Sequence, residues 1–113
     1  MFNRIYEWNK VRDNLEYDKC REYEMLDEEL IEYLISKDPA NEAKELADII
    51  FVAMGSLIKL TGSPAIAESI MNRVIAHNSA KGSKKDENGK VIKGEIDWKV
   101  EDKIREEYKE VFV

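Results

Sequence analysis

Apolar residues recur three and four positions apart along most of this chain, which is the period of an α-helix. Ile5, Trp8 and Val11 predict a short first helix over about 3–12. Tyr23, Leu26, Leu30, Ile31 and Leu34 predict a second over about 15–37, with acids on its other sides. Asp38-Pro39 ends it and opens a third, because Asp38 can cap the first turn and Pro39 suits the first helical position. The third helix spans 39–61, with Leu46, Ile49, Ile50, Ala53, Leu57 and Leu60 as core candidates and Gly62 as its C-cap. Ser63-Pro64 repeats the cap-then-proline signal and opens a fourth helix to about Lys81, whose inward face holds Ile66, Ile70, Met71 and Val74.

The pattern breaks from Gly82 to Asp97, a stretch rich in glycine and lysine. Asn88-Gly89 is a tight-turn signal, so this segment is either a small hairpin or a mobile loop. Val100, Ile104, Tyr108 and Phe112 then recur every four residues and predict a final helix, laid on the bundle or on a partner chain. The expected fold is all-α: an antiparallel bundle of about four to five helices in a single domain over 1–113, with a Gly/Lys-rich loop. Polar sites in such bundles are built from side chains on facing helices.

At 113 residues the chain can bury only a modest core, so a homodimer or homotetramer is expected. The single Cys20 forms no internal disulfide, and no apolar run approaches membrane-spanning length. A cytoplasmic protein is the expectation. The net charge of −6 argues against binding nucleic-acid polymers, and no membrane partner is expected. The charge is also unevenly placed. Residues 13–48 carry thirteen acids and four bases, whereas residues 72–93 carry six bases and two acids. An acidic pocket followed by a lysine-rich segment suits a metal–polyphosphate ligand. Two solvated faces of opposite sign would give the same count.

The acids themselves are patterned. Glu28, Glu29 and Glu32 read EExxE on the second helix, and Glu45 and Asp48 read ExxD on the third. Residues three or four apart share a helix face, so antiparallel packing can bring the two clusters together. Such a cluster repels itself unless cations sit in it, and Mg²⁺ is the natural occupant of an all-oxygen site. Glu45 and Asp48 stand beside the apolar run Ile49-Ile50-Phe51-Val52, which favours partial burial, and buried acids need a partner. The competing reading is a solvent-facing acidic helix. Asn78 and Lys81, three apart near the end of the fourth helix, could hold phosphate oxygens, or simply finish the helix. Lys84, Lys85, Lys90 and Lys93 on a glycine-bearing loop suit a lid over a triphosphate, though neither a P-loop nor an EF-hand pattern is present. His77 reads as a structural histidine, Trp8 and Trp98 as core or interface residues, and Cys20 as a poor nucleophile.

In this order, EExxE at 28–32, ExxD at 45–48, Asn78/Lys81 and the Gly/Lys loop resemble the all-α nucleoside triphosphate pyrophosphohydrolases. The likeness is to the MazG-like branch, related to dimeric dUTPases and phosphoribosyl-ATP pyrophosphohydrolases, and it covers about residues 20–98. The resemblance implies a bundle that dimerises, sometimes as a dimer of dimers, and hydrolysis of an NTP to NMP and pyrophosphate with Mg²⁺ or Mn²⁺. It implies Glu29, Glu32, Glu45 and Asp48 as metal ligands and Glu28 as the group that orients or deprotonates the attacking water. It implies Asn78 and Lys81 as substrate-binding residues, with Lys84, Lys85 and Lys93 reaching the phosphates. The context around Asn78, Lys81 and Gly89–Gly94 looks like a sub-branch that favours dUTP or related deoxynucleotides.

Two other readings compete. A non-catalytic helical interaction module would use the acidic face and the C-terminal helix to dock partners. The same fold could also act on another phosphate ester such as phosphoribosyl-ATP, which needs substrate contacts that the sequence does not reveal.

Overall fold

The structure is a computed structural model that describes residues 1–81, 84–90 and 98–112. Five helices are present among them and no strand: α1 (Phe2–Lys10), α2 (Lys19–Leu34), α3 (Pro39–Thr61), α4 (Pro64–Ser79) and α5 (Val100–Glu107). The expected all-α fold is borne out. No single helix among the described residues is long and apolar enough to cross a membrane. The chain divides into two compact units, Met1–Ala67 and Glu68–Val113, and the division falls within α4.

In the first unit the capping signals act as the sequence predicts. The Asp38 carboxylate accepts a hydrogen bond from the Asn41 backbone N–H at 2.9 Å, and Pro39 begins α3. Gly62 closes α3 with φ at 75°, a left-handed conformation that costs glycine little, and its N–H donates to the Ile58 carbonyl. The Ser63 hydroxyl then accepts from the Ile66 N–H and starts α4.

The second helix is shorter than expected at both ends. It starts at Lys19 rather than near residue 15 and ends at Leu34 rather than near 37. Asp13 has φ at 52°, which no right-handed helix accommodates. Asn14 donates to Asn9 through both its backbone N–H and its side-chain amide, which fixes the turn after α1. Only at Asp18, whose carboxylate accepts from the Arg21 N–H, can the chain re-enter a helix.

α3 is the hub of this unit and packs against both α1 and α2. Its core is Phe2, Ile5, Ile58 and Ala67, flanked by Tyr6, Phe51, Met54 and Leu57. The fully buried Ile58 alone contributes on the order of 2 kcal/mol. The apolar stripe predicted for α2 is largely uncovered: Tyr23, Leu30, Ile31 and Leu34 are exposed, as are Leu46, Ile50 and Leu60 of α3. Among the described residues of this unit, α2 packs against α3, which covers one of its sides.

In the second unit Tyr108, at the end of α5, donates its hydroxyl proton to Ser69 of α4, and Arg73 pairs with Glu107. The predicted final helix therefore lies on the chain's own α4 through these contacts. His77 is buried, with Trp98 edge-on at 4.6 Å between ring centres, in keeping with a structural histidine. The Asn88-Gly89 signal marks a real turn. Asp86 Oδ1 accepts from the N–H groups of Asn88 and Lys90, and the Asp86 N–H donates to the Lys90 carbonyl at 2.8 Å. The remainder of the predicted 82–97 loop, with Gly82, Lys93 and Gly94, lies outside the described residues.

Candidate metal centre

The four-residue link 35–38 reverses the chain, so α2 and α3 run antiparallel. Two contacts fix their alignment. Near one end Glu22 of α2 meets Lys59 of α3, with Lys59 Nζ 2.9 Å from Glu22 Oε1. Moving along α2 toward its C-terminus moves the partner toward the N-terminus of α3. Two turns further on, Glu29 and Glu32 meet Glu45 and Asp48.

There the four carboxylates converge, each offering one oxygen, and these oxygens all lie within 4.8 Å of one another. Glu45 is buried, Glu29 and Asp48 are half-buried, and Glu32 is exposed, so the cluster opens to solvent on one side. Glu45 Oε1 accepts a hydrogen bond from the Asn41 side-chain amide at 3.2 Å. Its other oxygen, and Oε2 of Glu29, are buried with no hydrogen-bond partner among the described residues.

Buried carboxylate oxygens without a donor are costly. The cost shows in Glu29, whose pKa is raised, first by burial and then by the charges of Glu32, Asp48 and Glu45. Lys44 offsets part of the charge. Its ammonium lies 2.6 Å from Asp48 Oδ2 and 3.6 Å from Glu45 Oε1. The hydrogen bond to Asp48, then the charges of Asp48 and Glu45, hold the Lys44 pKa above its ordinary value.

The donor set fits a hard divalent ion. Mg²⁺ binds oxygen at about 2.1 Å, which puts opposite ligands roughly 4.2 Å apart. A small contraction of the observed spacing would satisfy that geometry and give the two orphaned oxygens a partner. Zinc is a poorer match, since neither His77 nor Cys20 belongs to the cluster.

Of the residues singled out in the sequence, Glu29, Glu32, Glu45 and Asp48 are brought together. Glu28 is exposed and outside that set. Asn78, Lys81, Lys84 and Lys85 belong to the second unit: Asn78, Lys84 and Lys85 are exposed and Lys81 is half-buried. Lys93 lies outside the described residues.

Sequence reasoning missed Lys44 and Asn41. Both stand four residues before a cluster member, a spacing that puts them on the same face. An apolar cavity of about 610 Å³ is lined by Ile5 and Trp8 of α1 and Ala47, Ile50, Phe51 and Met54 of α3. It lies well over 90° around α3 from the carboxylates, by the 100° step per residue.

The chain matches the phosphoribosyl-ATP pyrophosphohydrolase family model over residues 5–62, just over half of its length. No curated protein matches, and no solved structure matches. The match runs from within α1 to the end of α3 and so contains both carboxylate motifs. It takes in the first helix, which added little to the resemblance read from the motifs, and stops before Asn78.

Proposed function

The chain belongs to the phosphoribosyl-ATP pyrophosphohydrolase family, and on that premise we propose that it is a Mg²⁺-dependent nucleoside triphosphate pyrophosphohydrolase, converting a (d)NTP to (d)NMP and pyrophosphate. The observation that carries this reading is the convergence of four carboxylate oxygens within 4.8 Å, two of the carboxylates having a buried oxygen without a donor.

Glu29, Glu32, Glu45 and Asp48 would hold Mg²⁺, with Mn²⁺ as a substitute. A bound divalent ion supplies charge that acidifies an attacking water and offsets charge on phosphate oxygens. The rest is the chain's own work. Glu28 orients the water and takes its proton. Asn78 and Lys81 hold the substrate, and Lys84, Lys85 and Lys93 neutralise the departing pyrophosphate. The physiological role we assign is cytoplasmic house-cleaning of unwanted nucleotides, with a dUTP-like preference. The assembly is a homodimer or homotetramer. Exposed Leu30, Ile31 and Leu34 on α2, and Ile35 just after it, support it, because a second copy would cover them.

The test is pyrophosphate release from a panel of NTPs and dNTPs, with dUTP and phosphoribosyl-ATP included, with and without Mg²⁺. Metal-dependent release with monophosphate as co-product is expected, and Glu29→Gln or Asp48→Asn should abolish it. No release from any substrate, with Mn²⁺ tried as well, would overturn the reaction. A sedimentation mass of one chain at micromolar concentration would overturn the assembly.

A further inference from the structure

The repulsion among the four carboxylates is offset in part. Among the described residues Lys44 is the one cation paired with them, through Asp48 Oδ2 at 2.6 Å and Glu45 Oε1 at 3.6 Å. It reaches the cluster from its rim, since its side chain is 65% exposed and Asp48's is 35% exposed. The cluster is also more than a surface patch of acids. Glu45 is only 8% exposed, and its second oxygen is buried without a donor.

We infer that Lys44 is a tethered counter-ion, which offsets part of this cluster's charge in the metal-free protein and competes with the divalent ion for Asp48. The inference rests on the metal reading above.

The physical argument has three steps. An ammonium and a divalent ion both need the lone pairs of the same Asp48 carboxylate, so close contact with one weakens contact with the other. If Lys44 stays nearby after displacement, its charge still repels the ion. The tether is cheap to break, because four single bonds and an exposed stem let the ammonium swing into water. Lys44 thereby exchanges metal affinity for stability without metal. The metal-free fold keeps a cation in its acidic cluster, and the site releases its ion more readily than four carboxylates alone would.

The experiment is Mn²⁺ binding to the full chain, followed by the loss of the free-ion electron paramagnetic resonance signal. It is paired with thermal melting in chelator and in Mn²⁺. Lys44→Gln shortens the stem, keeps a polar end and removes the charge. It should tighten Mn²⁺ binding by about three- to tenfold, the range expected for one partly screened charge beside a divalent ion. It should also lower the melting temperature in chelator and enlarge the rise on adding Mn²⁺. Lys44→Arg should bind within about twofold of the parent chain. Lys37→Gln removes a charge that has no carboxylate partner among the described residues, and should change binding less than Lys44→Gln does.

Unchanged or weaker Mn²⁺ binding by Lys44→Gln, with the parent chain binding normally, overturns the inference while leaving the metal centre in place. Equal tightening by Lys37→Gln also overturns it, since net charge would then be the cause. Absence of Mn²⁺ binding by every form overturns the metal centre and the inference with it.

Discussion

Lys59→Met should be among the most damaging single substitutions in the first unit. Lys59 Nζ donates to Glu22 Oε1 at 2.9 Å, and both side chains are only 3% exposed. The Ser56 hydroxyl donates to the same oxygen at 2.9 Å. The other Glu22 oxygen is buried with no hydrogen-bond donor, and the nearest cation recorded for it is Arg21 Nε at 3.6 Å. Methionine keeps most of the apolar stem of Lys59, so packing changes little and the charge is what is lost. Glu22 is then a buried carboxylate held mainly by one hydroxyl. Breaking a buried pair on one side costs about 3–5 kcal/mol.

A domain of this size has a total stability of about 5–15 kcal/mol, so roughly a fifth or more is at stake. The assay is urea denaturation followed by circular dichroism, on Lys59→Met, Glu22→Met, and the double variant. The double variant should recover most of the loss, because a well-packed apolar pair is often no worse than a buried ion pair. Two results would refute the reasoning: a loss below about 1 kcal/mol in Lys59→Met, or a double variant no more stable than the worse single one.

Other outcomes follow from the same structure. Asp38→Ala removes the acceptor for the Asn41 N–H and should cost about 1 kcal/mol, read as a lower denaturation midpoint with an unchanged slope. Gly62→Ala puts a Cβ on a residue with φ at 75°; nothing lies within 4 Å to clash, so the loss should be only about 1 kcal/mol of backbone strain. Glu29 predicts a pH effect. Its raised pKa means the folded, metal-free chain holds that proton more tightly than the unfolded chain does. The stability so gained is complete below the ordinary value of 4.5 and is lost as pH rises through the raised folded value. Melting in chelator across that window should show the loss in the parent chain and a flatter profile in Glu29→Gln; identical profiles would exclude Glu29 as its source. Protons and metal compete for these oxygens, so stabilisation by Mn²⁺ should grow with pH over the same window.

The sequence alone determined what short-range physics controls. The helical period, Asp38-Pro39, the C-capping Gly62 and the Asn88-Gly89 turn each act within a few residues; the caps and the turn are found where they were read, while α2 and α5 are shorter than their patterns. The grouping of Glu29, Glu32, Glu45 and Asp48 was legible for the same reason, since i+3 and i+4 spacing fixes a face on each helix and a four-residue link sets the two helices antiparallel.

Other features were decided only in three dimensions. The late start of α2 depends on Asn9 and Asn14 bonding across a turn. The burial of Glu22 depends on a lysine 37 residues away. Most of all, periodicity gave α2 an apolar stripe but could not say what covers it; α3 takes one side and leaves Leu30, Ile31 and Leu34 exposed. A helix pattern is a property of one segment. Burial, and the charge balance that follows from it, is a property of what packs against that segment, and so it is written only in the tertiary structure.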